Sequence, residues 1–542
     1  MGSKLSPTGR LLTMRNPFTR AFVLAVCLMA LVVVLLRSDA DMRSAVVRSA
    51  NKAKGKISQH PIFAGGKDEA GPRQNATHTM DCGYDMEQLR TIRKKYELDE
   101  SFEYFKRYIK LSRDDSHKRS SMTKVKQDLL PSQFSIIDTT REYHPQECPE
   151  PLHVPVTLSP RPQTADLSDF MFGVSTTYKR FKDPKTSSIR EWSYWLTDGR
   201  GSSNGGKLVL LLLDANNYEL QDARKKLREA GIDADVYASD GSMEMAVRYL
   251  TLIPTLYQHS ERKNKKWLVS CDDDTFFPSP NALVERMAEF DTSLPLYVGT
   301  LSEDVNNIQR HGSQAFGGAG VFISVPLAEQ VARHYSSCKT EEAVKEANTG
   351  WGPQGDILLR NCIYKNTDVR LTALWDLWQL DLYNDPSGFY ESGVKPLSLH
   401  HYRGGGGWHT AHPFEYTKIA RLCGEDCTMQ RFQTADDFVI ANGFSVARYP
   451  RGVDFNAQQV ERTFTPAPED RGWNLDFRFG PQRKSLLQTG RKISWDLKEA
   501  SVRGDGSVSQ VYVRHKDDYR WKDEQGNAMS HFDGVIELIW IA

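Results

Sequence analysis

The sequence predicts an α/β fold, with a mostly parallel sheet that carries helices on both faces, an N-terminal membrane anchor and a C-terminal β-rich extension. Three observations predict it. One apolar run lies near the N-terminus, continuous apolar segments alternate with helical patterns from about residue 166, and short β-prone segments replace this alternation after about Gly424. Unbroken apolar strands that alternate with helices indicate βαβ units, because the strands of a parallel sheet are buried on both faces.

The membrane anchor is predicted at 21–36, a run of sixteen apolar residues without a charge. The run is slightly shorter than the roughly 20 residues of a full span, and the flanking Arg20 and Arg37 can extend it by snorkelling. A cleaved signal peptide, cut near Ala40, is the alternative. Because the run exceeds the apolar region of about 7–15 residues that signal peptides use, we expect the anchor to stay uncleaved.

Basic residues flank this run on both sides, so the positive-inside rule leaves its orientation open. Two observations indicate that the chain after the anchor is lumenal. The segment 75–77 offers Asn75 for N-glycosylation, and seven of the eight cysteines lie beyond the anchor. We therefore expect a cytosolic tail at 1–20, the anchor at 21–36 and a polar, basic stem at 37–80.

The chain after the stem divides by pattern into three regions. Apolar residues recur at roughly helical spacing from Met86 to Lys110, which predicts a helix. The proline-rich stretch from Pro145 to Pro162 indicates a boundary. The predicted regions are a helical and linker region at 81–165, the α/β domain at 166–422 and the β-rich extension at 423–542.

The elements of the α/β domain alternate regularly. Its first strands are predicted at Asp169–Ser175, Lys207–Leu213, Ile232–Ala238 and Trp267–Cys271. Its first helices are predicted at Ser187–Thr197, Asn216–Ala230 and Ser242–Gln258. Pro254 is expected to kink the last of them. The β-prone segments of the extension include Phe438–Ile440, Gln510–Arg514 and Gly534–Ile541. Such a parallel sheet binds ligands at the carboxyl ends of its strands.

Composition excludes several classes of function. Lysine and arginine number 70 against 69 aspartates and glutamates, and this balance argues against a nucleic-acid partner. The mean hydropathy of −0.53 excludes a multi-span transporter. At about 150 residues per domain, the 542 residues predict two to four domains.

Seven cysteines follow the anchor, and an odd number leaves at least one unpaired in a monomer. Cys271 ends an apolar strand and is the expected buried thiol. Cys423 and Cys427 are close enough in sequence for a local disulfide. Zinc binding is the alternative for this pair, but no His/Cys partners with suitable spacing lie nearby.

Three acidic residues, Asp272, Asp273 and Asp274, directly follow the predicted strand that ends at Cys271. Their charges repel one another and destabilise the fold unless a cation joins them. Carboxylate oxygens suit Mg²⁺ or Mn²⁺ rather than zinc. Because residues i and i+2 of an extended chain point to one side, Asp272 and Asp274 can share one ion. A solvated acidic turn is the alternative, and the apolar residues on both sides of the segment favour a function.

The segment WLVSCDDDTFF resembles the metal-binding segment of the Fringe-like glycosyltransferases, of the β-1,3-glycosyltransferase superfamily. Three further motifs of that family follow in the same order. They are the glycine loop Phe316–Gly320 with the strand Val321–Ser324 behind it, the acidic segment Gly352–Asp356 and the histidine segment Ser398–His401. The resemblance spans about residues 169–410, and the segment FVIANGFSVARYP resembles the extension of Fringe-related proteins in fungi and plants.

The resemblance implies a type A glycosyltransferase fold, which is Rossmann-like, with 166–422 as the catalytic domain. It implies that Asp272, Asp274 and His400 hold Mn²⁺ or another divalent cation and that Asp273 contacts the ribose or the sugar. Asp356 is then the general base that takes a proton from the acceptor hydroxyl. A loop with few side chains can approach a sugar or a diphosphate closely, which assigns nucleotide-sugar binding to Gly317, Gly318, Ala319 and Gly320.

Plain structural roles are the alternatives for these residues. The glycine loop could be an ordinary tight turn. Asp356 begins the predicted helix Asp356–Tyr364, and an aspartate there is often an N-cap. His400 and His401 lie on a predicted strand, so their side chains are expected on opposite sides, with His400 toward the metal.

Four tryptophans near the motifs divide into two pairs. Trp351 and Trp408 are candidate donor or acceptor contacts because aromatic rings stack on sugars, with core packing as the alternative. Trp375 and Trp378 are predicted to be packing residues. Trp408 follows the glycine run 404–407, which predicts a mobile loop.

The function that we predict is a metal-dependent inverting glycosyltransferase, with a UDP-sugar donor and a glycan or glycoprotein acceptor. We expect a single-pass type II protein of the Golgi membrane, or a secreted protein if the chain is cut near Ala40. The alternative is a catalytically silent, membrane-tethered carbohydrate-binding or chaperone protein on the same scaffold, and the intact acids and His400 count against it. The charge balance and the lack of a second His/Asp-rich cluster disfavour a phosphodiesterase or nuclease.

Overall fold

A computed structural model describes residues 80–114, 116, 118–143, 147–186, 188–383, 385–453, 464–466, 479–482, 492–523 and 525–542. These residues all belong to one compact unit, Lys67–Ala542. The predicted tail, anchor and stem, with Asn75, lie outside the described residues. Among the described helices, none has the length and apolar character that crossing a membrane requires.

Helices and strands alternate through most of the described chain. The α-helices are α1 (Met86–Lys95), α2 (Tyr178–Phe181), α3 (Ser188–Leu196), α4 (Asn217–Glu229), α5 (Met245–Gln258), α6 (Pro280–Met287), α7 (Val305–His311), α8 (Val325–Cys338), α9 (Glu341–Glu346), α10 (Gly355–Asn366), α11 (Ser387–Tyr390), α12 (Pro413–Tyr416) and α13 (Ala420–Cys423). The strands are β1 (Ser101–Arg113), β2 (Thr123–Lys124), β3 (Ser135–Asp138), β4 (Leu152–Val156), β5 (Phe170–Thr177), β6 (Lys207–Leu213), β7 (Ala234–Ser239), β8 (Trp267–Ser270), β9 (Tyr297–Gly299), β10 (Val321–Ser324), β11 (Leu371–Ala373), β12 (Arg403–Gly405), β13 (Trp408–Thr410), β14 (Arg431–Gln433), β15 (Phe438–Ala441), β16 (Ser445–Arg448), β17 (Phe464–Pro466), β18 (Phe479–Gln482), β19 (Ile493–Val502), β20 (Val508–Arg514) and β21 (Gly534–Ile541).

A seven-stranded sheet forms the α/β part, in the order β11-β9-β10-β8-β5-β6-β7. The pairs β8-β5, β5-β6, β6-β7 and β9-β11 are parallel, whereas β10 runs antiparallel to both of its neighbours. The prediction of a mostly parallel sheet is confirmed, and the predicted strands and helices between residues 169 and 271 agree with the observed bounds to within three residues.

Helices cover both faces of this sheet because its central strands are apolar on both sides. In β6, Leu208, Leu210 and Leu212 pack into one hydrophobic cluster, and Val209 and Leu211 pack into another. Helix α5 lies in the second cluster together with α8 and α10. The prediction of helices on both faces is therefore confirmed.

A second sheet joins segments that lie far apart in the sequence. Among the described residues it follows the order β2-β14-β15-β16-β19-β20-β21-β1-β3, with β4 also paired to β1. The β-prone segments predicted in the extension form β15, β20 and β21. Strand β1 pairs in parallel with β21, so the regions predicted at 81–165 and 423–542 share one sheet.

The predicted helix from Met86 to Lys110 is wrong in its second half. Helix α1 ends at Lys95, and β1 begins at Ser101. The spacing of Phe102, Phe105 and Ile109 fits a helical pattern, but the segment is rich in aromatic residues, which favour strands. Pairing with β21 on one side and β3 on the other then decides the conformation.

Three disulfides link six of the seven cysteines that follow the predicted anchor: Cys82–Cys148, Cys338–Cys362 and Cys423–Cys427. Cys271 is free and buried. The predicted buried thiol and the predicted local disulfide are confirmed. The zinc alternative for Cys423 and Cys427 is wrong, because each sulfur is bonded to the other.

Candidate active site

The acidic segment lies at the carboxyl end of β8, in the middle of the seven-stranded sheet. The backbone N–H of Asp272 donates to Thr275 Oγ1 over 2.9 Å, and the Thr275 hydroxyl donates to the Gly318 carbonyl oxygen over 2.8 Å. A single threonine therefore links the acidic segment to the glycine loop. The chain closes this turn because a short polar side chain follows the aspartates directly.

The structure brings together the three predicted metal ligands. His400 Nε2 lies 3.3 Å from Asp272 Oδ2 and 3.3 Å from Asp274 Oδ1. Burial alone would lower the pKa of His400, but the charges of Asp274 and Asp272 raise it to about 10. The same contact holds the pKa of Asp274 below its usual range, although burial acts in the opposite direction.

The donor set of this triad fits a hard divalent cation. One donor atom from each of Asp272, Asp274 and His400 lies within 4.8 Å of the others. For metal–ligand distances of about 2.1–2.4 Å, donor atoms at right angles around an ion lie about 3.0–3.4 Å apart. Two carboxylates and one imidazole are ligands that divalent cations such as Mn²⁺ accept.

Asp273 differs from its two neighbours because it is ion-paired. Its side chain is buried and accepts hydrogen bonds from the Thr176 hydroxyl and from Arg180, whose Nε lies 2.8 Å from Asp273 Oδ2. Arg403 donates to the Asp273 carbonyl oxygen over 2.9 Å and to Glu191 Oε2 over 2.7 Å. These contacts fix the middle of the acidic segment, and a sugar or ribose contact by Asp273 stays a prediction.

The histidine pair differs from its sequence prediction. Leu399 forms an isolated bridge with Phe276, and the chain leaves extended geometry at His401, whose φ is +54°. The rings of His400 and His401 lie 3.8 Å apart, so the expectation that they point to opposite sides is wrong. A left-handed residue reverses the alternation that a continuous strand would impose.

Asp356 lies in the first turn of α10 and is not its N-cap. The helix begins at Gly355, so Gln354 is the N-cap residue. Asp356 Oδ2 instead accepts a hydrogen bond from the backbone N–H of Gly317 over 3.2 Å. Burial, helped by the charge of Asp272, raises the pKa of Asp356 to about 6. The N-cap alternative is therefore wrong, and a carboxylate that titrates near neutrality lies beside the triad.

The glycine loop packs closely against side chains of the protein itself. A Cβ atom at Gly318 would lie 2.1 Å from the His400 ring, and one at Gly317 would lie 2.4 Å from the Tyr249 hydroxyl oxygen. These two positions therefore require glycine for the triad and α5 to pack as they do. The predicted approach of this loop, with Ala319 and Gly320, to a sugar or diphosphate stays a prediction.

The four tryptophans differ in exposure. Trp351 is 73% exposed on a turn before α10, with the Arg310 guanidinium 5.4 Å from its ring centre. Trp408 is stacked between Tyr383 and His401, at 4.6 Å and 4.1 Å between ring centres. The packing roles of Trp375 and Trp378 are confirmed, since both pack in hydrophobic clusters.

Sequence reasoning missed the basic and aromatic partners of the site. Arg180 follows β5 and thus lies at the same carboxyl edge as the acids, which is a signal that could have identified it. Arg403 belongs to the hairpin of β12 and β13, and its long-range partners Glu191 and Asp273 left no local signal. Tyr249 reaches the site from α5, where its spacing matches that of ordinary core residues.

Solved structures of several glycosyltransferases are similar to part of this chain, at low sequence identity. Mouse xyloside xylosyltransferase 1 is 14% identical over 38% of this chain and 85% of its own, with a TM-score of 0.25. A Pyrobaculum calidifontis mannosyltransferase, in complex with GDP-mannose and Mn²⁺, is 10% identical over 40% of this chain and 57% of its own, with a TM-score of 0.24. The galactosyltransferase LgtC is 11% identical over 37% of this chain and 73% of its own, with a TM-score of 0.27. No curated protein matches the sequence.

The family match lies on the part of the chain that carries the motifs. Residues 217–380 match the family model described as Fringe-like. That range includes Asp272, Asp274, the glycine loop and Asp356, while His400 lies 20 residues beyond its end. Residues 217–380 are therefore similar to the Fringe-like family over the part of the chain that carries three of the four sequence motifs.

Proposed function

We propose that this protein is a metal-dependent inverting glycosyltransferase that moves a hexose or N-acetylhexosamine from a UDP-sugar to a glycan or glycoprotein. One observation carries the proposal: Asp272, Asp274 and His400 converge at the carboxyl end of β8, with the buried carboxyl group of Asp356 beside them. A cation-binding group beside a base that titrates near neutrality is what this reaction needs.

Asp272, Asp274 and His400 would hold the divalent cation. When bound, Mn²⁺ supplies positive charge that stabilises the diphosphate as a leaving group. The side chains of these residues are 44%, 15% and 5% exposed, respectively, so the group opens toward solvent on the side of Asp272. A donor diphosphate would therefore approach from that side.

Asp356 would take the proton of the acceptor hydroxyl. With a pKa of about 6, it is largely ionised at neutral pH and still basic enough to accept a proton. The acceptor oxygen then forms a bond to the anomeric carbon while the bond from that carbon to the UDP oxygen breaks. Attack on the face opposite the leaving group inverts the anomeric centre.

Two other acids near the cleft are less suited to be the base. Glu303 accepts hydrogen bonds from the backbone N–H groups of Gln379 and Leu380, each over 2.9 Å. Asp304 caps α7 by accepting from the Asn306 N–H. Both carboxylates lie within the influence of the Asp381 charge, whereas the charges of Asp272 and His400 act on Asp356, which favours Asp356 as the base.

The predicted cellular context belongs to the same proposal. A type II anchor at 21–36 would hold the catalytic domain in the Golgi lumen, with glycan on Asn75. The three disulfides support an oxidising compartment. Secretion after cleavage near Ala40 is the competing topology, and recovery of a soluble product beginning near Asp41 would favour it.

A panel of UDP-sugars tests the proposal. The purified full-length protein is incubated with each donor, a mixture of simple glycoside acceptors, and either Mn²⁺ or a chelator. We expect release of UDP with at least one donor in Mn²⁺ and none in chelator. Binding of sugars without UDP release from any donor would instead support the catalytically silent carbohydrate-binding protein.

A further inference from the structure

The orientation of His400 needs an explanation because its ring lacks the usual support. Histidines that bind a metal generally donate their second ring nitrogen to a carboxylate, a carbonyl or water, which fixes the ring. His400 directs Nε2 toward Asp272 and Asp274, while its Nδ1 is buried and has no hydrogen-bond partner among the described residues. Among the described residues, only groups packed against the ring can orient it.

Three aromatic rings in succession lie on one side of the His400 imidazole. The His401 ring packs against His400 at a tilt of 35°, with 3.8 Å between ring centres, and Trp408 stacks on His401 with 4.1 Å and an interplanar angle of 12°. Tyr383 covers the far face of Trp408 at 4.6 Å. The backbone of Gly318 closes the other side of His400. The imidazole is therefore held between a glycine and a stack of three rings.

The middle of this stack is anchored independently. His401 Nδ1 lies 2.9 Å from the buried carboxylate of Asp381. Asp381 in turn accepts hydrogen bonds from the Ser302 hydroxyl and from Asn307 Nδ2, the latter over 2.7 Å. These contacts hold the Asp381 carboxylate beside the His401 ring and so restrict where that ring can lie against His400.

One hairpin supplies contacts to both halves of the triad. Strands β12 and β13 pair around Gly406 and Gly407, so Arg403 and Trp408 belong to the same short unit. Arg403 contacts the carbonyl and carboxylate of Asp273, between the two acidic ligands, and Trp408 contacts the histidine segment. This hairpin, 403–410, joins the two segments that carry the ligands.

We propose that Trp408 and His401 are positioning residues that orient His400 for cation binding by packing of their rings, in place of a hydrogen bond donated by Nδ1. The proposal rests on the proposed metal site. It assigns Trp408 a role beneath the cation site and not a direct sugar contact, because both faces of its ring are covered by other rings.

The test is the dissociation constant of Mn²⁺, measured by electron paramagnetic resonance on the full-length protein without a donor sugar. Loss of a group that orients a ligand weakens metal binding by about 10–100-fold. We expect that loss in Trp408→Leu, which keeps apolar volume but removes the ring. Trp408→Phe keeps a stacking ring and should stay within about threefold of the wild type. Trp351→Ala, a tryptophan outside the stack, should leave Mn²⁺ affinity unchanged.

The outcomes separate the two proposals. If the wild-type protein binds no Mn²⁺, the proposed metal site fails. If the wild type binds Mn²⁺ and Trp408→Leu binds it equally well, the positioning role fails while the metal site stands. Trp408→Phe that is as weak as Trp408→Leu also overturns the role of stacking. Melting temperatures accompany each variant, and His401→Leu, which removes the ring next to His400, replaces Trp408→Leu if the latter does not fold.

Discussion

Two groups of side chains in the α/β part each contain two acids and one histidine. They differ in which positive charges lie beside their carboxylates. Asp272, Asp274 and His400 lie at the carboxyl end of β8, and Asp235, His259 and Glu261 form a second group of metal-binding residue types. In the second group the Lys207 ammonium lies 2.9 Å from Asp235 and 2.8 Å from Glu261. In the first group, Asp272 and Asp274 each lie 3.3 Å from His400, and among the described residues neither forms a salt bridge with a lysine or arginine.

The contrast shows that residue types alone do not define a metal site. Lys207 is almost fully buried and also pairs with Asp233 over 2.9 Å, so three carboxylates share one built-in cation. Burial acts to lower the pKa of Lys207, but the hydrogen bonds that its ammonium donates to these acids outweigh that effect and raise it. The sequence suggested no second His/Asp-rich cluster, and the structure assembles one in which a lysine of the protein offsets part of the acidic charge.

The largest expected effect tests the first group directly. Asp274→Asn removes one of two carboxylates and should abolish Mn²⁺ binding and lower turnover by about 10³-fold or more. Asp235→Asn is the matched change in the second group and should leave Mn²⁺ affinity unchanged. Electron paramagnetic resonance and UDP release measure the two effects. Full turnover of Asp274→Asn in chelator would refute the metal assignment.

The second-largest expected effect concerns Asp356, an acid that belongs to neither group. Asp356→Asn should lower turnover by about 10²–10⁴-fold, because an amide cannot accept the proton. The folded-state pKa of about 6 lies above the ordinary 3.8, so the ionised carboxylate reduces stability as pH rises from about 4 to 6. The variant should therefore be as stable as the wild type or more stable at pH 7.5. Near-normal turnover of this variant, with intact UDP affinity, would show that another residue is the general base.

A change in the second group sharpens the comparison through stability. Lys207→Met leaves three carboxylates without their cation, and their side chains are 41–47% exposed, so solvent screens part of the repulsion. We expect a loss of about 1–3 kcal/mol in the free energy of unfolding, measured by urea denaturation. Millimolar Mn²⁺ should restore part of the lost free energy of unfolding. The same variant in buffer without divalent cations should show the full loss. Unchanged stability would show that Lys207 does not balance this group.

The pH dependence of turnover should report on Asp356 and not on the second group. Because burial raises the pKa of Asp356 to about 6, turnover should be constant above pH 7 and fall about tenfold per pH unit below pH 5.5. Asp235→Asn should keep this profile. A wild-type profile that stays flat down to pH 5 would contradict the assignment of Asp356.

The smallest effect concerns the acceptor. Trp351 is exposed on the turn that leads to Asp356, and loss of one stacking ring is worth about 0.5–1.5 kcal/mol. Trp351→Ala should therefore raise the acceptor KM by about 2–10-fold with the donor KM unchanged. Steady-state kinetics with the best acceptor of the panel measure this split. A change in donor KM instead would place Trp351 on the donor side.

The α/β part was predictable from the sequence because its signals are local. An unbroken apolar run such as Lys207–Leu213 specifies a buried strand, and the acids that follow β8 then lie at a ligand-binding edge. Strand β1 was not predictable, because its apolar spacing also fits a helix and its partner β21 is distant in sequence. The packing of the rings around His401 was not predictable either, because it depends on the left-handed backbone of His401, which the sequence pattern does not indicate.

The pairing of β1 with β21 has a consequence for biosynthesis. Beside these strands, the Asp99 N–H donates to Asp533, a residue 434 positions later in the chain. At about 5–20 residues per second, β1 leaves the ribosome about 20–90 s before its neighbour exists. Throughout that interval a strand with aromatic residues and unpaired backbone groups is open to wrong partners. Yield in a recombinant host should therefore depend on chaperones that cover β1 until synthesis reaches β21.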